Sequence, residues 1–174
     1  MRLKQVLLLL TFITIFTLTL KQIAKADDKS CLVEALYFEA RSETFVAQLA
    51  VANVIIERVK IERYPNTICK VVRQGKYRNG KPVKHKCMFS YYCDGKPEVI
   101  ANTKAYEISS SVASLAMQGV IVSNTDGATH YHASYVQPYW SLDSNFTMLG
   151  QVGQHIFYID TQQRGVYNEH NKWD

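Results

Sequence analysis

The chain has 174 residues, 47% of them hydrophobic and 20% charged, with a formal net charge of +5, a length that suits one domain with a core of ordinary size. The positive excess belongs to the first 26 residues, which hold Arg2, Lys4, Lys21 and Lys25 and no acid. Residues 27–174 carry 16 Lys and Arg against 15 Asp and Glu, a net +1, so the high overall pI is no argument for a nucleic-acid partner.

Arg2 and Lys4 precede an apolar run from Val6 to Leu20, followed by Lys21 and the small-x-small site Ala24-Lys25-Ala26. This order predicts a secretory signal peptide over residues 1–26, leaving a single domain over 27–174 that is secreted or periplasmic. The apolar run is shorter than the ~20 residues that span a bilayer, so no stable membrane anchor is expected after cleavage. All four cysteines, Cys31, Cys69, Cys87 and Cys93, lie in the exported part, and an even count in an oxidising compartment suggests two disulfides. Of the three pairings, the short closure Cys87–Cys93 is favoured, which leaves Cys31–Cys69. Spacings of 38, 18 and 6 lack the close cysteine pair usual in zinc sites.

Asp27-Asp28-Lys29-Ser30 offers acids and an N-cap for a helix from Cys31 to about Ala40. Ser42 caps a second helix with Glu43 in its first turn, where a negative charge suits the macrodipole. Val46, Leu49, Ala50, Asn53, Val54 and Glu57 follow helical steps, and Ala47, Val51, Ile55 and Ile56 widen the apolar side. A helix apolar over that much of its circumference is central, and it ends before Tyr64-Pro65. Residues 66–72 read as one or two helical turns, and the basic, turn-rich stretch 73–86 as a loop. Pro97 starts a third long helix, Glu98 to Gln118, stopped by Gly119. Thr129 to Tyr135 alternates as a strand, with His130 and His132 on one face and Thr129, Tyr131, Ala133 and Tyr135 on the other. Phe146 to Asp160 reads as a hairpin turning near Gly150 and Gly153. Helices first and a small antiparallel sheet after them make an α+β fold.

The chemistry centres on Glu39, which sits among Tyr37, Phe38 and Ala40. Apolar surroundings disfavour a carboxylate's charge, and a carboxyl that keeps its proton near neutrality can act as a general acid. The competing role is a structural ion pair with Arg41 or Arg58, which would lower the pKa instead. Glu43 is the candidate second carboxylate, more simply a first-turn acid. Gln48 offers an amide either to a ligand or to a buried backbone group. His130, His132 and His155 suggest a zinc amidase or peptidase, although no His-Glu-x-x-His motif occurs.

Several blocks carry a family resemblance: Glu39-Ala40-Arg41-Ser42-Glu43, Gln48 to Ile55, Arg58-Val59, Tyr64 to Cys69, Cys87 to Tyr91, Cys93-Asp94-Gly95, Gly127 to Ala133, and Gly153-x-His155-x-Phe157-Tyr158. In this order they resemble the bacterial cell wall hydrolase family typified by spore-cortex-lytic enzymes. The resemblance implies a lysozyme-like lytic transglycosylase, monomeric and without cofactor or metal. It would cut peptidoglycan glycan strands between N-acetylmuramic acid and N-acetylglucosamine. It also implies that Glu39 is the catalytic acid and that Ser90, Tyr91, Tyr131 and His132 line the substrate cleft. Ser42 stands where such families have glycine, and no separate wall-binding module is expected. A lytic transglycosylase works with one carboxylate, whereas other glycosidases use two. The non-enzymatic alternative is a secreted wall-binding protein that keeps an aromatic groove without turnover.

Overall fold

A computed structural model describes residues 13, 16, 17, 19, 22 and 27–163. The leader expected over 1–26 lies, apart from five helical positions, outside the described residues. None of the described helices is long and apolar enough to cross a membrane.

Helix α1 covers 27–40 and buries Leu32, Ala35, Leu36 and Tyr37. Residues 27–30 are already helical, so Ser30 is not an N-cap; its hydroxyl donates to the Asp27 carbonyl within the helix. Helix α2 spans Phe45–Lys60, and its N-cap is Thr44, whose Oγ1 accepts from the Ala47 amide. Ser42 and Glu43 therefore belong to the α1–α2 connection, which frees the Glu43 side chain from capping duty. From Ala47 to Val59 nearly every residue of α2 is buried, as the wide apolar side predicts. Val51, Val54, Ile55 and Val59 are buried almost completely, each contributing about 1.5–3 kcal/mol. Buried Arg58 leaves the same helix to donate its Nε to the Thr129 carbonyl at 2.8 Å.

Helix α3, Ile68–Val72, is N-capped by Thr67 and tied to α1 by the disulfide Cys31–Cys69. The stretch expected as a loop is a hairpin, β1 (Gly75–Arg78) with β2 (Lys81–Cys87). Asn79 and Gly80, with φ of 51° and 74°, supply the two left-handed residues that a tight hairpin turn requires. Cys87 then bonds Cys93, fastening β2 to a 3₁₀ turn at Ser90–Cys93. Helix α4 runs Thr103–Met117 with Asn102 as its N-cap, later than the start expected at Pro97; residues 97–102 are extended or irregular. It ends as expected, with the Gly119 and Val120 amides bonded back to Ala116 and Leu115. α4 packs on α2 through Val112, Ala113 and Ala116.

The second sheet has the order β3 (His130–Ala133), β5 (His155–Asp160), β4 (Phe146–Val152), all antiparallel. The β4–β5 turn falls at Gly153-Gln154, whereas Gly150 sits at an irregularity inside β4. Phe157 joins the helical core from this sheet's inner face. His130 and His132 lie on the outer face in an aromatic cluster with Trp140, Phe146 and Tyr158.

Candidate active site

Glu39 occupies the last turn of α1, where the helix gives way to the connection to α2. Its carboxyl is mostly buried, and Oε1 meets no hydrogen-bond partner. Burial raises its pKa above 4.5; the backbone amides of Tyr91 and Ser90 oppose the rise in part. Neither arginine proposed as an ion-pair partner takes that role. Arg41 donates to the Tyr37 carbonyl at 3.3 Å and lies over the Tyr37 ring, while Arg58 is held by Thr129 and by the Tyr64 and Phe89 rings. Glu39 belongs to none of the ion pairs among the described residues.

Glu39 opens into a cavity of about 400 Å³ lined by Phe38, Arg41, Ser90, Tyr91, Asp94 and residues 96–99. Phe38 stacks on Tyr91 with ring centroids 4.9 Å apart. Residues 97–102 are irregular backbone, and the Tyr37 hydroxyl anchors them by accepting from the Ala101 and Asn102 amides at 3.1 and 3.0 Å.

Of the expected cleft residues, Ser90 and Tyr91 share this cavity with Glu39. Tyr91 is buried, and its pKa is raised first by that burial, then by the charges of Glu34 and Glu39 and by a hydrogen bond with the Glu34 side chain. Tyr131 comes up from the inner face of β3; burial raises its hydroxyl and Glu39 adds to the rise. His132 points to the opposite face, its Nε2 3.1 Å from the Tyr158 hydroxyl and its Nδ1 3.0 Å from the Ala133 carbonyl. Gln48 is 2% exposed, and its amide is spent inside the protein. Nε2 donates to the Glu43 carbonyl and Oε1 accepts from Ser109.

Glu43 reaches the sheet instead of the helix dipole. Its Oε2 accepts from the Gln154 amide at 3.2 Å, and its Oε1 lies 3.8 Å from His155 Nδ1. Burial lowers the His155 pKa, and the Glu43 charge opposes that shift. Gly153, at φ +59°, makes room: any Cβ there would strike the Glu43 carboxylate and come within 2.8 Å of Ala47 Cβ.

The three histidines do not converge on a common point, because His155 shares the inner face with Ala133 and Tyr131 while His130 and His132 lie outside. Among the described residues the one His/Cys/acid grouping close enough for a metal is Asp27, Cys31 and Cys69, whose two sulfurs are joined to each other. Asp94, Lys96 and Glu98 are cavity residues that the sequence reading passed over. The Cys93-Asp94-Gly95 block was the available signal, but it reads locally as a turn.

The family model for "Cell Wall Hydrolase" matches residues 42–158. The chain belongs to the cell wall hydrolase family. Glu39 stands three residues before the matched stretch, so its assignment rests on the geometry above. Among solved structures, the catalytic domain of the Bacillus cereus SleB protein is similar at 25% identity and a TM-score of 0.57, over 76% of this chain and 90% of that one. The catalytic domain of the germination-specific lytic transglycosylase SleB from Bacillus anthracis is similar at 25% identity and a TM-score of 0.58, over 75% and 93% respectively. No curated protein matches. The α+β architecture of this cell wall hydrolase is that of the two SleB domains.

Proposed function

We propose that the protein is a lytic transglycosylase that cleaves the glycosidic bond between N-acetylmuramic acid and N-acetylglucosamine in peptidoglycan, with Glu39 as its acid and base. The observation that carries this is a buried carboxyl without an ion-pair partner, facing a cavity walled by aromatic rings. With its pKa raised, Glu39 holds a proton that it donates to the glycosidic oxygen as the bond to C1 breaks. The resulting carboxylate takes the proton of the sugar's own 6-hydroxyl, whose oxygen closes on C1 to form the 1,6-anhydro ring. No second carboxylate is needed for that closure. The Phe38–Tyr91 stack gives the cavity an apolar wall for a sugar to lie against, and the Ser90 hydroxyl supplies a hydrogen bond at the cavity rim. Asp94 and Glu98 line the same cavity and favour, as a second reading, a water-activating carboxylate and a hydrated product.

Mass spectrometry of peptidoglycan digested with the purified protein tests both readings. Anhydro-muramyl ends are expected, and Glu39→Gln lowers their formation by at least ~100-fold with folding retained. Hydrated ends that vanish with Asp94→Asn would establish the second reading. Export fits the wall substrate, with residues 1–26 as leader and 27–174 as one catalytic domain. The mass of the exported protein checks the cleavage after Ala26.

A further inference from the structure

The β1–β2 hairpin is used by nothing described so far. From residue 64 to residue 93 the chain has seven Lys and Arg and no acid, whereas the rest of residues 27–174 carries nine Lys and Arg against 15 acids. Five of these cations, Lys76, Arg78, Lys81, Lys84 and Lys86, are on the hairpin, and all five are exposed. Arg78 and Lys81 are direct cross-strand partners, a like-charge pairing that costs folding stability. Lysines do guard exposed strand edges against pairing, but guarding does not call for the exclusion of every acid over thirty residues. A surface of this kind fits a polyanion.

Position selects the polyanion. β2 is fastened by Cys87–Cys93 to the turn that carries Ser90 and Tyr91. Lys84 lies along Gly95, where a Cβ would come within 3.1 Å of its Cε. Gly95 is flanked by Asp94 and Lys96, which both line the cavity of Glu39. The cationic hairpin is thus continuous with the rim of the catalytic cavity. A peptidoglycan strand lying across that cavity carries peptide stems that end in free carboxylates, and those stems branch away from the sugars being cut.

We propose that the β1–β2 hairpin binds the stem-peptide carboxylates of the strand that Glu39 cleaves, making the enzyme selective for stem-bearing glycan. This rests on the glycan-cleaving reading of the cavity. The surface acts by screened attraction, so its contribution is largest at low ionic strength.

The test combines Lys76→Gln, Arg78→Gln, Lys81→Gln and Lys84→Gln in the full chain. Binding is measured in a Glu39→Gln background on two probes: uncross-linked peptidoglycan strands with stems, and the same strands stripped of stems by an amidase. On stem-bearing strands at low salt the quadruple variant should bind about tenfold more weakly, with a shallower salt dependence. Stripped strands keep one lactyl carboxylate on each muramic acid, held at the sugar and not out on a stem, and on them the two proteins should bind alike. With Glu39 restored, the variant should raise KM on stem-bearing strands and leave kcat unchanged. Equal binding of variant and parent to stem-bearing strands, or an equal loss on both probes, overturns the proposal. Failure of the parent enzyme to cleave either strand would instead refute the catalytic reading, while the binding comparison still decides the role of the hairpin.

Discussion

At position 39 a single proton separates two physical regimes. Burial raises the folded-state pKa of Glu39, so between the unfolded value near 4.5 and the higher folded value the folded chain binds more protons than the unfolded one. Stability therefore falls as pH rises through that window, and Glu39→Gln escapes the loss. Urea unfolding should find this variant more stable than the parent at about pH 8 and equal to it at about pH 4. If Glu39 is the acid proposed above, activity should decline over the same window as the proton is lost, which a pH–rate profile checks. Two tyrosines near by make a contrasting pair. Tyr37→Phe orphans the Ala101 and Asn102 amides and should cost about 1–3 kcal/mol. Tyr91→Phe removes a hydroxyl that faces only the Glu34 side chain and no main-chain donor, and should cost less than Tyr37→Phe in the same titration. The buried setting of Glu39 was legible because its apolar neighbours are adjacent in sequence. The role of Gln48 was not, since its partner Ser109 lies 61 residues away.

Elements were legible where burial shapes their pattern. α2 and β5 pack against the core, and their apolar residues show it. The β1–β2 hairpin has no buried face, so no alternation marks it, and its one local sign, Asn79-Gly80, was lost in a run of cations. The cap of α2 was misplaced by two residues because Ser42 and Thr44 are chemically alike; Glu43, between them, is pulled to the sheet by the Gln154 amide. That pull makes the β4–β5 turn sensitive. Gly153→Ala should destabilise by at least ~1 kcal/mol, since its φ is left-handed and its Cβ space is taken by Glu43 and Ala47. Gly153→Ala combined with Glu43→Ala should recover part of the loss in thermal melts, because the collision with the carboxylate is then gone.

For the molecule as a whole, covalent closure and buried imidazoles set the response to its surroundings. The disulfides close loops of 38 and 6 residues, for which chain entropy predicts about 4 and about 2 kcal/mol. Cys31→Ala with Cys69→Ala should therefore lower the unfolding midpoint more than Cys87→Ala with Cys93→Ala. His130 is pushed down to about 3 by burial, with Arg58 and Arg63 adding to the effect. Between its usual 6.5 and that value the unfolded chain binds a proton that the folded chain refuses, so stability drops as pH falls through this range. His130→Phe, which preserves the packing against Trp140 and Phe146, should flatten that acid limb in urea titrations.

The stretch from Asp94 to Asn102 borders the cavity without belonging to any helix or strand, and a phenol pins its far end. Its spacing from the acid is thus set by side-chain chemistry and not by a ladder of main-chain bonds. Grafting a longer or shorter segment between Cys93 and Asn102, with Tyr37 kept, would widen or narrow the groove while the helical framework stayed as it is. Such a change should shift which glycan the cavity admits and leave the unfolding midpoint near that of the parent.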